Sequence, residues 1–328
     1  MKQQTTILII GLFALVLGFG MISVKGDIND FGITALSGLF QGMLLFLVAS
    51  GLSIIFGLMD VLNLAQGAYF MIGAYSAYEV HHNPAIIAAI PSGDIRFILA
   101  LVVATLVGAL LGAILESAFL RPLYIRPLFQ LVLTFGVALV IEEIIRFIWS
   151  TTPYSWVEQF TFRERTFVIF EQQFSVYRLF VIAMGFVLIF TIALLLRRTR
   201  IGIIIRAGVE DSEMVEALGI NVRLIFTLVF TIGCAVAALG GAIAAPFLGA
   251  TFGMGNTFLL SAIAVVALGG LGSYEGTAIG SILVGLAVAF MGQFALEINQ
   301  SVLTSLTPMI LLITVLLIRP SGLFGHGE

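Results

Sequence analysis

The sequence predicts an all-α membrane protein, a polytopic helix bundle with about ten membrane segments, some of them short or broken. Three observations predict this fold class. The 328 residues are 60% hydrophobic and only 10% charged, whereas about a quarter of the residues in a soluble domain are charged. Long uncharged runs recur along the whole chain, and the charged residues collect between them. We therefore expect bilayer lipid to cover most of the surface.

The uncharged runs give the membrane segments in chain order. A full crossing needs about 20 apolar residues. The run at 61–78, directly after Asp60, and the run at 257–271 are therefore expected to be broken or partial crossings. The first run follows Lys2 without a small-residue cleavage pattern, so we expect an uncleaved first helix. The segments lie at about 7–23, 35–59, 61–78, 97–115, 129–149, 179–196, 224–245, 257–271, 277–295 and 302–318.

Lysine and arginine set the orientation, because they accumulate on the cytoplasmic side of membranes. Residues 197–223 contain five arginines, and placing this loop inside puts the N-terminus and the C-terminus in the cytoplasm. The 150–178 loop then lies outside as a folded cap. His81 and His82 fall on an outside loop, where we expect solvated side chains and no metal.

The remaining isolated polar residues carry smaller expectations. Glu142 and Arg146 are four residues apart on one helix and are expected to pair. Glu116 lies one turn from Arg121, near the inner end of its helix. Cys234 is the single cysteine and lies in an apolar run, so we expect a buried thiol and neither a disulfide nor a cysteine metal site.

Two glycine-bearing breaks interrupt the apolar runs, one in residues 51–69 and one in residues 267–277. A break at membrane depth is tolerated only where protein or water satisfies the freed backbone groups. A pair of such breaks in a transporter points to the substrate path. Polar side chains in the first break either line that path or tie the break to a neighbouring helix. The candidate path residues are Asn63, Gln66, Gly67, Tyr69, Gly269, Gly270, Gly272 and Ser273.

The arginine-rich loop contains a short amphipathic helix. An acidic or hydroxyl residue caps its start, Gly219 ends it, and its apolar residues share one face at helical spacing. That face either packs back on its own bundle or inserts into a groove on a cytoplasmic partner, and we favour the partner. The predicted coupling residues are Arg206, Glu210, Asp211, Met214, Val215, Leu218 and Gly219.

Several function classes lack the residues that they need. The sequence has no phosphate-cradling glycine loop and no acid-rich metal loop. Its histidines lie outside the apolar runs, so an intramembrane Ser–His pair is poorly supported. A carrier driven by protons or sodium usually has a carboxylate in mid-helix, and none is evident. We therefore expect no enzyme activity, no cofactor, no metal and no nucleic acid partner in this chain.

Four motifs resemble those of the branched-chain amino acid ABC importer permeases. The first spans residues 57–67 with 71–75, and the second joins Arg206-Ala207 and Asp211 to residues 217–221. The third is 267–273 with two further glycines, and the fourth is 319–325. The likeness covers about residues 33–325. Gln66 stands where the family often has histidine, so a charge or protonation role is doubtful for this side chain.

The resemblance implies a membrane subunit of a binding-protein-dependent importer. Residues 1–30 look like an N-terminal extension with the first membrane helix, and residues 31–328 form the permease transmembrane domain, with the coupling loop at 197–223. The implied partners are a second homologous permease, two cytoplasmic ATP-binding subunits that hydrolyse ATP, an extracytoplasmic substrate-binding protein and the lipid bilayer. The implied location is the inner membrane of a bacterium or archaeon.

The resemblance leaves the cargo open among branched-chain or other small neutral amino acids, amides and urea. Alternating access about the broken segments would move it. A second hypothesis stays open from the residues alone: an ion-coupled secondary transporter of small solutes that works without ATPase subunits. Accumulation in liposomes from an ion gradient alone distinguishes it from the importer.

Overall fold

The computed structural model describes residues 2–156, 160–199, 202–205, 207 and 212–325. The first part contains α1 (Lys2–Ser23), α2 (Ile28–Met59), α3 (Gln66–His82), the short α4 (Pro84–Ala89) and α5 (Gly93–Ile114). A π-helical turn (Leu115–Leu120) and a 3-10 turn (Arg121–Leu123) extend α5. The second part contains α6 (Pro127–Trp149), α7 (Thr161–Glu164), β1 (Thr166–Ile169), β2 (Gln172–Ser175), α8 (Val176–Arg198), α9 (Ser212–Ala217), α10 (Val222–Leu248), α11 (Met254–Gly269), α12 (Tyr274–Glu297) and α13 (Val302–Ile318).

Within this described part of the chain, seven helices are long and apolar enough to cross a membrane: α1, α2, α5, α6, α8, α10 and α12. The shorter apolar helices α11 and α13 complete the set, together with the 17-residue α3. Each of the ten predicted segments overlaps one of these helices. The all-α polytopic fold is confirmed, whereas the number of full crossings and the side on which the termini lie stay predictions.

Helix α2 forms the centre of the bundle and packs against α8, α10, α11 and α12, while α3 and α5 pack on α10. Small residues allow the closest of these approaches. A Cβ atom on Gly285 of α12 would lie only 2.3 Å from the backbone nitrogen of Gly42 in α2. By contrast, α5, α6 and α13 expose rows of large apolar side chains, such as Val132 and Leu317. These outward faces are those that lipid would cover.

The 150–178 loop is folded, as the sequence predicts. Strands β1 and β2 pair as an antiparallel hairpin, with Thr166 opposite Ser175. An isolated bridge joins Tyr154 to Ala250 at the end of α10. This loop corrects one expectation: His81 is fully buried, because Trp156 and Phe160 of the loop cover its ring. A solvated side chain was expected for His81, because the residues that cover it are far away in the sequence and their contact could not be predicted.

One ion pair was predicted, between Glu142 and Arg146, and the structure shows another. Glu116 and Arg121 pair, with 3.4 Å between the guanidinium and the carboxylate. The Glu142–Arg146 pair is wrong. Arg146 contacts Glu143 instead (3.4 Å), and Glu142 accepts from the side-chain amide of Asn256 in α11 at 3.2 Å. Spacing on one helix allowed both pairings, and the approach of α11 selected between them.

Candidate functional site

The break between α2 and α3 lies within the bundle. Asp60 ends α2 in the left-handed conformation (φ 53°), and α3 begins at Gln66. The Asn63 side-chain amide donates to Gln66 Oε1 (3.1 Å), and Gln66 Nε2 donates to the Gly233 carbonyl of α10 (2.9 Å). Gly233 lies roughly 16 Å along α10 from the first residue of that helix, at the usual helical rise. The two amides therefore tie the break to α10 at membrane depth.

Close packing leaves no room for bulk around this tie. A Cβ atom on Gly51 would lie 2.2 Å from Gln66 Nε2 and 2.3 Å from the Gly233 carbonyl oxygen. On the other side, a Cβ atom on Gly67 would lie 2.2 Å from the Gly255 carbonyl oxygen. Asn63, Gln66 and Tyr69 are each 0% exposed. Their contacts are those of a tie to a neighbouring helix, and a place on the substrate path stays a prediction for them.

The second break is a tight turn between α11 and α12. Gly270 (φ 103°) and Gly272 (φ 81°) take backbone conformations that L side chains rarely adopt. Ser273 Oγ caps α12 by accepting from the Gly276 nitrogen at 3.0 Å. The segment after α13 covers this turn, because the Phe324 nitrogen donates to the Gly269 carbonyl at 2.9 Å. The sequence identified the closing motif at 319–325 but gave no sign of this contact.

The two breaks meet at the predicted inner ends of α2 and α12. A Cβ atom on Gly57 would lie 2.6 Å from the Gly272 carbonyl oxygen. One turn deeper in the bundle, Thr277 Oγ1 donates to Ser53 Oγ at 2.9 Å. In the sequence the two breaks are similar but about 200 residues apart, and nothing there predicts that they touch. Because they are in contact, a movement of the α11–α12 turn would displace the end of α2.

The short helix of the arginine-rich loop divides its apolar residues between two surroundings. In α9 and the turn after it, Met214 is 65% exposed and Leu218 is 73% exposed, whereas Val215 is 5% exposed and packs inward. Gly219 ends the helix in the left-handed conformation (φ 83°), as predicted. Arg206, Glu210 and Asp211 lie outside the described residues. The coupling role of the loop is an untested prediction.

A cavity that was not among the predicted sites opens at the other end of the bundle, on the predicted outer side. A polar chamber of about 480 Å³ lies between α2, β2, α12 and α13. An apolar chamber of about 390 Å³ adjoins it, between α2, α10, α11 and α13. Ligand pockets typically have volumes of about 300–1,000 Å³. We call the two chambers together the outer cavity; Ser37, Gln41, Arg178 and Thr304 line both of them.

The sequence contained a weak sign of this cavity. Arg178 stands at the start of a long apolar run, and Gln41 interrupts another. Polar residues inside membrane segments usually face a partner or a water-filled space. Neither residue belongs to a glycine-bearing break, so neither was among the predicted path residues.

Comparison with known proteins gives the family. Residues 34–318 match the model of the family described as branched-chain amino acid transport system / permease component. The chain belongs to this family. The match covers the breaks, α9 and the outer cavity, and it confirms the resemblance inferred from the motifs. It also agrees with a multi-pass membrane protein. A permease component is itself not an enzyme.

Individual relatives are described in the same terms, and the alignments cover nearly the whole length of each. The high-affinity branched-chain amino acid transport system permease protein BraD of Pseudomonas aeruginosa is 29% identical over 304 residues, which is 89% of this chain and 95% of BraD. The high-affinity branched-chain amino acid transport system permease protein LivH of Escherichia coli K12 is 27% identical over 303 residues, which is 89% of this chain and 94% of LivH. A probable branched-chain amino acid transport permease protein LivH of Methanocaldococcus jannaschii is 27% identical over 288 residues. No solved structure matches the chain.

Proposed function

We propose that this chain is the transmembrane permease subunit of an ATP-driven importer in the inner membrane of a bacterium or archaeon. Its cargo is a branched-chain or other small neutral amino acid, with amides and urea as the wider range, and it moves by alternating access. A second homologous permease completes the path, two cytoplasmic ATP-binding subunits dock beneath, and an extracytoplasmic binding protein delivers the cargo. The family match over residues 34–318 is the observation that supports this function most strongly.

The docking site that we propose for the ATP-binding subunits is the exposed face of α9. A two-turn helix with an outward apolar face fits a groove on a soluble partner. Met214 and Leu218 form that face, while Val215 holds the helix against its own bundle. The helix is followed almost at once by α10, whose first turn is capped by Asn221 accepting from the Leu224 nitrogen at 3.1 Å. A pull on α9 would therefore pass into α10.

Helix α10 in turn connects the docking face to the α2–α3 break. The Gly233 carbonyl of α10 accepts from Gln66, so the break follows α10 when that helix tilts. On the other side, Arg197 at the end of α8 contacts Glu275 at the start of α12. We propose that these two connections convert closure of the ATP-binding subunits into a relative movement of α10 and α12 about α2.

An ion-coupled carrier is the alternative, and the buried charges do not favour it. Among the buried side chains that the structure describes, Glu116 is the one carboxylate. It accepts from Tyr124 and pairs with Arg121, near the predicted inner end of α5. A carboxylate with two fixed donors is a structural pair rather than a group that binds and releases an ion during each cycle.

The docking proposal is tested by replacing Met214 and Leu218 together with aspartate. Charged side chains on the apolar face should prevent insertion into a groove, so co-purification of the ATP-binding subunits and ATP-dependent leucine uptake should both fall by about tenfold or more, the scale of losing interface anchors. Ile125→Asp is the matched control, because Ile125 is 93% exposed in another loop on the predicted inner side. Unchanged co-purification and uptake in the double variant would discard the docking role, as would an equal loss in the control.

A further inference from the structure

Arg178 gives the outer cavity a positive charge that no described lining residue neutralises. It lines both chambers, and none of the described lining residues is an aspartate or glutamate. Its guanidinium lies over three aromatic rings, with its carbon 5.6 Å from the ring centre of Phe40, 5.5 Å from Phe174 and 5.1 Å from Phe247. The ring faces hold a cation in place, but they supply no anion. The geometry thus presents a fixed guanidinium to whatever enters the cavity.

A guanidinium in such a position suits one ligand group above all. Its planar fork of N–H donors matches the two oxygens of a carboxylate. Because no acid among the described residues occupies this position, the fork stays available to a ligand. A carboxylate in the cavity would gain the charge-assisted bonds that the fork offers, which are stronger than those between neutral groups.

The two chambers differ in chemistry on either side of Arg178. Only the polar chamber carries the amide and hydroxyl oxygens of Thr34, Gln293 and Ser301, which can accept from an ammonium group. The apolar chamber offers hydrocarbon and ring surface from Leu44, Leu45, Phe247, Val288 and Pro308. A ligand that fits both chambers has a carboxylate, an ammonium group and an aliphatic tail.

We infer that the outer cavity binds a neutral aliphatic α-amino acid, with the carboxylate on Arg178 and the side chain in the apolar chamber. The inference rests on the proposed function and adds to it the place of the binding site and the residue that recognises the carboxylate. A second carboxylate on the ligand would find no second cation among the described lining residues. A cationic side chain would find no acid there.

The experiment measures protection of a cysteine in the cavity from a maleimide reagent. The native Cys234 is fully buried, so Ser37→Cys provides the reactive thiol in the otherwise natural full-length chain, purified in lipid nanodiscs. Millimolar leucine should slow its labelling, and 4-methylpentanoate, which keeps the carboxylate and the tail, should also protect. Leucinamide, which lacks the carboxylate, should need about tenfold more for equal protection, the factor that one charge-assisted bond supplies. Val168→Cys, on the 74% exposed position of the hairpin, is the control that no ligand should protect.

Substitution at Arg178 gives the second arm. In the Ser37→Cys background, Arg178→Gln should remove the preference for leucine over leucinamide, while Arg178→Lys should keep part of it, because the charge remains without the fork. A merely structural arginine would change labelling equally with every ligand. The proposal is overturned if leucine and leucinamide protect equally in the unsubstituted Arg178 protein, if leucine gives no protection, or if Arg178→Gln keeps the preference.

The assay separates this inference from the proposed function, because it needs neither ATP-binding subunits nor a binding protein. If the cavity result fails while the full assembly still imports leucine with ATP, the binding site lies elsewhere in the permease pair. If protection is found as expected and the assembly shows no ATP-dependent uptake, the site stands and the importer proposal is wrong.

Discussion

Replacing Gln66 with methionine tests the tie between the α2–α3 break and α10. Methionine keeps the length and approximate volume of the side chain, so little packing is lost. It removes two hydrogen bonds, the one accepted from Asn63 at 3.1 Å and the one donated to Gly233 at 2.9 Å. Hydrogen bonds within membrane bundles contribute on average about 0.6 kcal/mol and at most about 1.7 kcal/mol each. The free energy of unfolding should therefore fall by about 1–3 kcal/mol.

The measurement is an equilibrium titration of the purified chain from mild detergent into dodecyl sulfate, followed by tryptophan fluorescence. Trp149 and Trp156 both lie near the C-terminal end of α3, where Trp149 contacts Tyr75 and Trp156 contacts His81. Gln300→Met is the matched control, because Gln300 is an exposed residue of the turn before α13.

Two outcomes would show that the buried Gln66 amide does not stabilise the fold as expected. If Gln66→Met unfolds at the same denaturant fraction as Gln300→Met, the buried amide pair contributes nothing and the reasoning about the tie is refuted. A double-mutant cycle with Asn63→Leu adds a sharper check. Because Asn63 donates to Gln66, the two losses should sum to more than the loss in the double variant, and strict additivity would contradict the hydrogen bond.

Three further outcomes are expected. Gly276→Ala should lower the free energy of unfolding by about 1–3 kcal/mol through overpacking, because its Cβ would lie 2.1 Å from a backbone oxygen of α11. The folded fraction in size-exclusion profiles should fall accordingly. Gly136→Ala is the control that should be neutral, because a Cβ there meets open space. Burial and the bond to Glu116 raise the pKa of Tyr124, so its hydroxyl stays a donor, and Tyr124→Phe should cost about 1.5–3 kcal/mol; an unchanged melting temperature would contradict this. In intact cells Ile125→Cys, on the predicted inner side and outside the docking face, should resist an impermeant maleimide and react after lysis. Labelling before lysis would reverse the predicted orientation.

Much of the helical architecture could be predicted because lipid permits so few alternatives. Uncharged runs must become helices, since a spanning segment has to satisfy its own backbone. The short run after Asp60 was correctly expected to follow a break, and Gly219 correctly marked the end of α9. These features are local: each depends on residues within one or two turns of one another.

Features that join distant residues could not be predicted in the same way. Gln66 and Gly233 are 167 positions apart, and no spacing rule connects them. The burial of His81 needed the covering loop at Trp156 and Phe160, and the partner of Glu142 needed α11. The outer cavity is of the same kind, because α2, α8 and α13 meet there only in the folded bundle. Amphipathic spacing on α9 likewise could not show that Val215 alone would turn inward.

Reconstituted transport distinguishes the proposed ATP-driven importer from an ion-coupled carrier. Proteoliposomes would contain the permease pair, with the ATP-binding subunits and the binding protein added or withheld, and radiolabelled leucine would report uptake. We expect leucine accumulation that requires ATP and every subunit, and no leucine accumulation from a proton or sodium gradient alone. Gradient-driven accumulation by the permease without ATP-binding subunits would contradict it.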